Sequence, residues 1–298
     1  GGSMGGAFLN AIPYDQHHTF QSHDFKRIIL WRLGFPFDFA KHNCPHDHSH
    51  RGPCAQDVYG DHLFVCDSAK GDRGKTHDMV RDAIVDYLKS IGLTALPEPS
   101  FGRLGITPNN YYRAVVTRTT SRSSRNMGPD GFVRFDRGDG ATHTFDFTHS
   151  HPVPSDLNSD KFDRNVHLNN ETLKVLEKNK IRKYKDIIEQ GSVMSPPTKF
   201  TPLVTFTYGR EGPKFRDFVK FIGATYVHQK FGIDASDDSG MRLRQRVINN
   251  IWRRSSCALM RGNCEVLKQG EYRIYHAQRH LPARGVGSAS NLLIRPST

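Results

Sequence analysis

Between Lys41 and Cys66 the chain changes character: Cys, His, Pro, Gly and Asp dominate, and almost no periodic apolar pattern remains. A segment with so little to bury cannot order itself around a core, so another source of folding free energy must hold it. Cys44, Cys54 and Cys66 fall in this stretch together with His46, His48, His50 and His62. Tetrahedral Zn²⁺ takes four nitrogen or sulfur ligands, and Cys44, Cys54, His62 and Cys66 supply three thiolates and one imidazole. His62 and Cys66 stand one helical turn apart, which suits two ligands on one face. The gap from Cys44 to Cys54 is longer than in common zinc fingers, so spacing leaves His46, His48 or His50 as alternatives to one of the four.

The charge balance narrows the partner. Lys and Arg number 42 against 30 Asp and Glu, a formal charge of +12, with 16 histidines in addition. Such an excess favours a polyanion such as nucleic acid over a small neutral ligand. With 36% hydrophobic residues, no stretch approaches the roughly 20 apolar residues of a membrane helix. No secretory leader is evident, and Gly1-Gly2-Ser3-Met4 reads as an expression scar outside the fold. Five unevenly placed cysteines do not make a disulfide framework, which points to a reducing, intracellular compartment.

Periodicity then predicts the elements. Ala7–Pro13 and Phe25–Leu33 read as short helical pieces of an N-terminal segment. Thr76 reads as the cap of a helix whose face is Val80, Ala83, Ile84, Tyr87, Leu88 and Ile91, closing at Gly92. Strand signals follow at Thr94–Pro97, Tyr111–Arg118, Gly131–Phe135, Thr142–Thr148 and Leu203–Thr207. An Arg/Ser-rich run from Arg113 to Arg125 reads as an exposed loop. Helices are predicted over Glu171–Gln190, Lys214–His228 and, with a basic amphipathic pattern, Met241–Met260; beyond about Gly285 the composition is that of a flexible tail. Helices flanking a mixed sheet make an α/β core.

Within that core a set of acids and cations suggests chemistry. Metal-assisted phosphodiester hydrolysis needs carboxylates to hold a divalent ion and a cation to offset developing charge. Asp130 opens a strand after Pro129, and Asp146 sits between Phe145 and Phe147, where a surface role is hard to assign. A hairpin through Asp136–Gly140 would bring Asp130 and Asp146 together, and Glu98, in Pro97-Glu98-Pro99, can complete the acidic cluster. Lys180, Lys183 and Tyr184, at i, i+3 and i+4, project from one side of a helix.

The order of these motifs resembles the restriction-like endonuclease region at the C-terminal end of site-specific non-LTR retrotransposon proteins. There a Cys-Cys-His-Cys knuckle precedes a PD-(D/E)XK nuclease core downstream of a reverse transcriptase. The residues that carry the resemblance are Phe8-Leu9-Asn10-Ala11-Ile12-Pro13, Arg32-Leu33-Gly34-Phe35-Pro36, Cys44-Pro45, Gly60-Asp61-His62, Cys66, Lys75-Thr76-His77, Pro97-Glu98-Pro99, Pro129-Asp130, Asp146 and Lys180-x-x-Lys183-Tyr184. It spans roughly residues 7 to 228. Thr148 stands two residues after Asp146, where the general pattern has lysine, so the lysine must come from the helix.

The resemblance implies a mixed sheet flanked by helices. By segments, 1–4 is the scar, 5–40 a helical linker, 41–70 the zinc knuckle, 71–230 the endonuclease core, and 231–298 a basic helical extension and tail. It implies Asp130 and Asp146 as Mg²⁺ (or Mn²⁺) ligands, Glu98 as an auxiliary acid, Lys180 or Lys183 as the catalytic lysine, and Tyr184 as its support. Apart from the resemblance, His77 and the basic run's Arg113, Arg118, Arg122 and Arg125 are expected as nucleic-acid contacts, the run being longer and more basic than the family leads one to expect. The implied activity is nicking of duplex target DNA in the nucleus, for extension by a reverse transcriptase in the same polypeptide or complex. The competing expectation is an inactive copy, a zinc-containing module that binds nucleic acid without cutting it. A zinc deaminase is excluded, because no H-x-E pairs with P-C-x-x-C.

Overall fold

The computed structural model describes residues 3–13, 15–41, 44, 47–48, 52–53, 57–107, 128–135, 142–152 and 169–280. The strand expected at Tyr111–Arg118, the Arg113–Arg125 run and the tail beyond Gly285 lie outside them. The helices are α1 Ser22–Arg32, α2 Lys70–Ser90, α3 Asn169–Lys183, α4 Lys185–Ser192, α5 Pro213–Phe231 and α6 Asp238–His280. The strands are β1 Asp47–His48, β2 Gly52–Pro53, β3 Thr94–Pro97, β4 Gly131–Arg134, β5 Thr142–Ser150 and β6 Thr198–Phe206. β1 and β2 pair antiparallel by themselves.

The other four strands form one mixed sheet in the order β3-β4-β5-β6. β3 and β5 run antiparallel to β4, and β6 lies parallel to β5 after a crossover that carries α3 and α4. Both faces of β5 are covered, so the ordinary apolar–polar alternation gives way to continuous burial from Thr142 to Phe147. Phe145 and Phe147 pack against Phe218 and Phe215 of α5. Asp146, between them, therefore points to the other face, beneath α3 and α4.

One apolar cluster joins Val80, Ile84 and Leu88 of α2, the β5 phenylalanines, Phe215 and Val219 of α5, and Ile251, Leu259, Met260 and Leu267 of α6. Several expectations change here. The helix expected to be capped by Thr76 begins at Lys70; Thr76 is buried inside it and its Oγ1 donates to the Asp72 carbonyl. Gly71 and Gly74 weaken this first stretch on propensity. Tertiary contacts override them, since Asp72 accepts from Arg273 at 2.7 Å and Arg73 donates to the Cys66 carbonyl at 2.6 Å. The helix expected over Glu171–Gln190 breaks at Tyr184, whose ring is buried against Phe200.

The helix expected to end at Met260 runs on to His280, and its central residues are core rather than appendage. Met4, expected outside the fold, is fully buried, while the amides of Ser3 and Met4 donate to the carboxylate of Glu211. Among the described residues, no helix is long and apolar enough to cross a membrane.

Candidate functional site

The site grows from the end of the β4–β5 ladder. Gly131 pairs with Phe145, so one step further along the same register Asp130 faces Asp146. Gly131 is required at this point, because a Cβ there would fall 2.1 Å from the Phe145 ring. Asp130 Oδ2 accepts from the Phe147 amide at 2.7 Å, and His77 Nε2 lies 2.8 Å from the same oxygen. Each carboxylate is thus fixed by an element other than its own strand.

His77 comes from α2 and meets acceptors on both nitrogens. Nε2 faces Asp130 Oδ2 and, at 3.0 Å, the Phe147 carbonyl; Nδ1 lies 3.2 Å from Asp78 Oδ1. Only the imidazolium donates from both nitrogens. Burial works against that charge, but the hydrogen bond and charge of Asp130, with Asp78 and Asp146, raise the His77 pKa to about 9.

Asp146 is 2% exposed and is enclosed by cations. Lys180 forms an ion pair with Oδ2, the Tyr184 hydroxyl donates to Oδ1, and Lys183 Nζ stands 3.8 Å from Oδ1. Lys183 also donates to the Tyr184 oxygen at 2.9 Å and sits over its ring. Burial pushes the Asp146 carboxyl up, yet the charges of Lys180 and Lys183 and the bond from Tyr184 outweigh it and hold the pKa below the usual carboxylate range. Burial and the Asp146 charge push Asp130 the other way, above that range, against the pull of His77. Lys183 is pushed down, by burial first and by Lys180 as well. His77, Lys180 and Lys183 thus face Asp130 and Asp146, with Asp78 on the second nitrogen of His77, so cations match the carboxylates of this cluster.

Glu98 follows β3 and joins the site through its backbone, its amide donating to the Asp130 carbonyl at 2.9 Å. Its carboxylate turns to Arg81 of α2, and its φ of +44° places a non-glycine residue in the left-handed region. Arg81 also binds Asp78 and Asp82, so it organises the acids of α2 beside His77. No sequence pattern had marked Arg81 for that role.

A second cluster lies near the N-terminal end of α2. Donor atoms of Cys44, His62 and Cys66 all lie within 4.8 Å of one another. The two sulfurs are 3.6 Å apart, too far for a disulfide and close to the edge of a tetrahedron with Zn–S bonds of about 2.3 Å. The neighbouring Cys44 thiol, with His62 and Ser68, holds the Cys66 thiol down to about 2 against burial, which favours the ligating thiolate. These three residues can hold a metal ion such as zinc. Cys54, His46 and His50 lie outside the described residues, as do Arg113, Arg118, Arg122 and Arg125; His48 lies on β1.

Asp61, beside His62, ties this cluster to the rest of the fold. Its Oδ1 accepts from Trp31 Nε1 at 3.1 Å and from the Tyr208 hydroxyl at 2.8 Å, with His151 Nε2 at 3.4 Å. The sequence marked Asp61 only through the Gly60-Asp61-His62 match; its aromatic partners come from distant segments with no local signal. No described protein family and no curated protein matches the chain.

Proposed function

We propose that the protein is a metal-dependent DNA endonuclease of the restriction-like class, nicking duplex DNA so that an associated reverse transcriptase extends the new 3′ end. The observation that carries this reading is the convergence of Asp130, Asp146, Lys180, Lys183 and Tyr184 at one end of the β4–β5 ladder. The topology supports it: helix, three antiparallel strands, a helical crossover and a fourth strand parallel to the third.

The residues present fit a divalent cation. Asp130, Asp146 and the Phe147 carbonyl are hard oxygen donors of the kind Mg²⁺ or Mn²⁺ takes. The His77 imidazolium already sits between two of them, so this position favours positive charge. When bound, such an ion supplies Lewis-acid stabilisation of the phosphoryl oxygens. The chain's own residues do the remainder: Lys180 and Lys183 offset charge on the phosphate, Tyr184 orients Asp146 and Lys183, and the ladder fixes the carboxylates' separation. Zinc on Cys44, His62 and Cys66, with Cys54 as the fourth ligand, would staple the preceding segment to α2.

A binding module is the second reading, favoured by one observation: the cations of the chain already neutralise both carboxylates. Supercoiled plasmid incubated with Mg²⁺ or Mn²⁺ separates the two. Nicking by the wild type and its loss in Asp146→Ala support the nuclease, whereas retained DNA binding without nicking in either protein supports the module.

A further inference from the structure

Away from the carboxylates, a cavity of about 770 Å³ opens between the N-terminal segment, α5 and α6. Its wall carries three cations, Arg216, Lys220 and Arg253, and three amides, Asn10, Gln245 and Asn249, and among the described residues no acid lines it. Arg216 is partly neutralised by the buried Glu211 at 3.2 Å. Lys220 and Arg253 make no ion pair among the described residues. Gln245 Nε2 donates to Asn249 Oδ1 at 2.8 Å, which leaves the Gln245 oxygen as an acceptor and the Asn249 nitrogen as a donor for a ligand. The cationic lining continues beyond the cavity: Arg242, Arg246, Asn249 and Arg253 follow one face of α6 at four- and three-residue spacing.

We infer that this groove binds a single strand of nucleic acid, with phosphates on Lys220, Arg253 and Arg216 and the amides reading sugar or base edges. The cations fit a polyanion, and their linear continuation along α6 fits one with repeated charge. The size decides the strand count. The cavity falls in the range of about 300–1,000 Å³ that encloses small ligands, so it takes a few nucleotides of one strand, while a duplex reaches only its rim. Gly6 has open space beside it, and Trp252, 5% exposed, adds an aromatic side chain to the lining. This site does not depend on the nuclease reading, and it gives the first half of α6 a role that the motif order left blank.

The test is fluorescence anisotropy of labelled oligo-dT, without added divalent ion, between about 50 and 200 mM salt. In Lys220→Gln/Arg253→Gln the affinity should fall at least tenfold, and the slope of log K on log salt should become shallower by about 1.4, two contacts at about 0.7 each. Lys220→Arg/Arg253→Lys should bind as wild type, which separates charge from folding; Arg216 is left in place because it covers buried Glu211. The readout is binding without divalent ion rather than cleavage, so absence of nicking leaves this inference intact. Unchanged affinity and slope in the Gln pair, or an equal loss for a matched duplex, overturns it.

Discussion

His77 and Asp130 are joined by a 2.8 Å contact between Nε2 and Oδ2, although one comes from the middle of α2 and the other from the loop before β4. The pair locks α2 onto the end of the ladder at the point where Asp130 also accepts the Phe147 amide. The two carboxylates therefore differ in their partners: Asp130 has a histidine and a backbone amide, Asp146 two lysines and a phenol.

This histidine makes stability depend on pH in a defined window. Its pKa is raised in the folded state to about 9 from 6.5, so its stabilisation is complete below pH 6.5 and is lost as pH rises through about 9. The full span is worth on the order of 3 kcal/mol, at 1.36 kcal/mol per unit. Urea midpoints of wild type minus His77→Gln, measured without divalent ion, should shrink between pH 6.5 and 9.5. A difference that stays flat across that range would contradict the imidazolium.

Asp130→Ala, Asp146→Ala and Lys180→Ala should each remove most nicking and leave DNA affinity within a few-fold. In the proposed nuclease their charges would act mainly as negative charge shifts onto the attacking and leaving oxygens. Lys180 pairs directly with Asp146 while Lys183 stands 3.8 Å off and binds Tyr184, so Lys183→Ala should cost less. Excess Mn²⁺ should partly rescue Asp146→Glu, which keeps a carboxylate, and should not rescue Lys180→Ala. Full nicking by the Asp130→Ala/Asp146→Ala double variant would leave only the binding module.

Protein purified without chelator should carry about one equivalent of zinc. Cys66→Ser and Cys54→Ser should both lower zinc content and thermal stability, because binding free energy is folding free energy for a segment without its own core. The loss should reach α2, since Arg73 of that helix donates to the Cys66 carbonyl. Zinc-free wild type with an unchanged melting temperature would remove the metal from this account.

How much was legible differed by element for physical reasons. β3 was read to the residue because Pro97 ends it sharply, and Asp146 stood out because an acid between two buried phenylalanines needs partners. The start of α2 was misread because Gly71 and Gly74 mimic a loop, while the partner of Asp72 lies at Arg273, which no local pattern announces. The break at Tyr184 was hidden for a similar reason. Lys180, Lys183 and Tyr184 fit an unbroken helix on spacing, and only the burial of the Tyr184 ring against Phe200 interrupts it. The depth of α6 was lost because its basic residues suggested an exposed helix, although Cys257 to Met260 are wholly buried.

That burial rests on a close approach between α2 and α6, which a single methyl group tests. A Cβ at Gly262 would meet Thr76 side-chain atoms at 2.5 to 2.7 Å, inside any real Cβ contact. Thr76 is itself fully buried and its Oγ1 is held on the Asp72 carbonyl, so moving aside costs packing or that bond. Gly262→Ala should therefore destabilise by about 1–3 kcal/mol through overpacking, although alanine alone would favour a helix by about 1 kcal/mol. Thr76→Ala should cost stability by leaving a small void, but it makes room for the new methyl group. The double variant should then be more stable than the sum of the two single losses, with a coupling of about 1 kcal/mol or more. Additive losses in urea denaturation would mean that Gly262 and Thr76 do not meet, and that the two helices pack at a different depth.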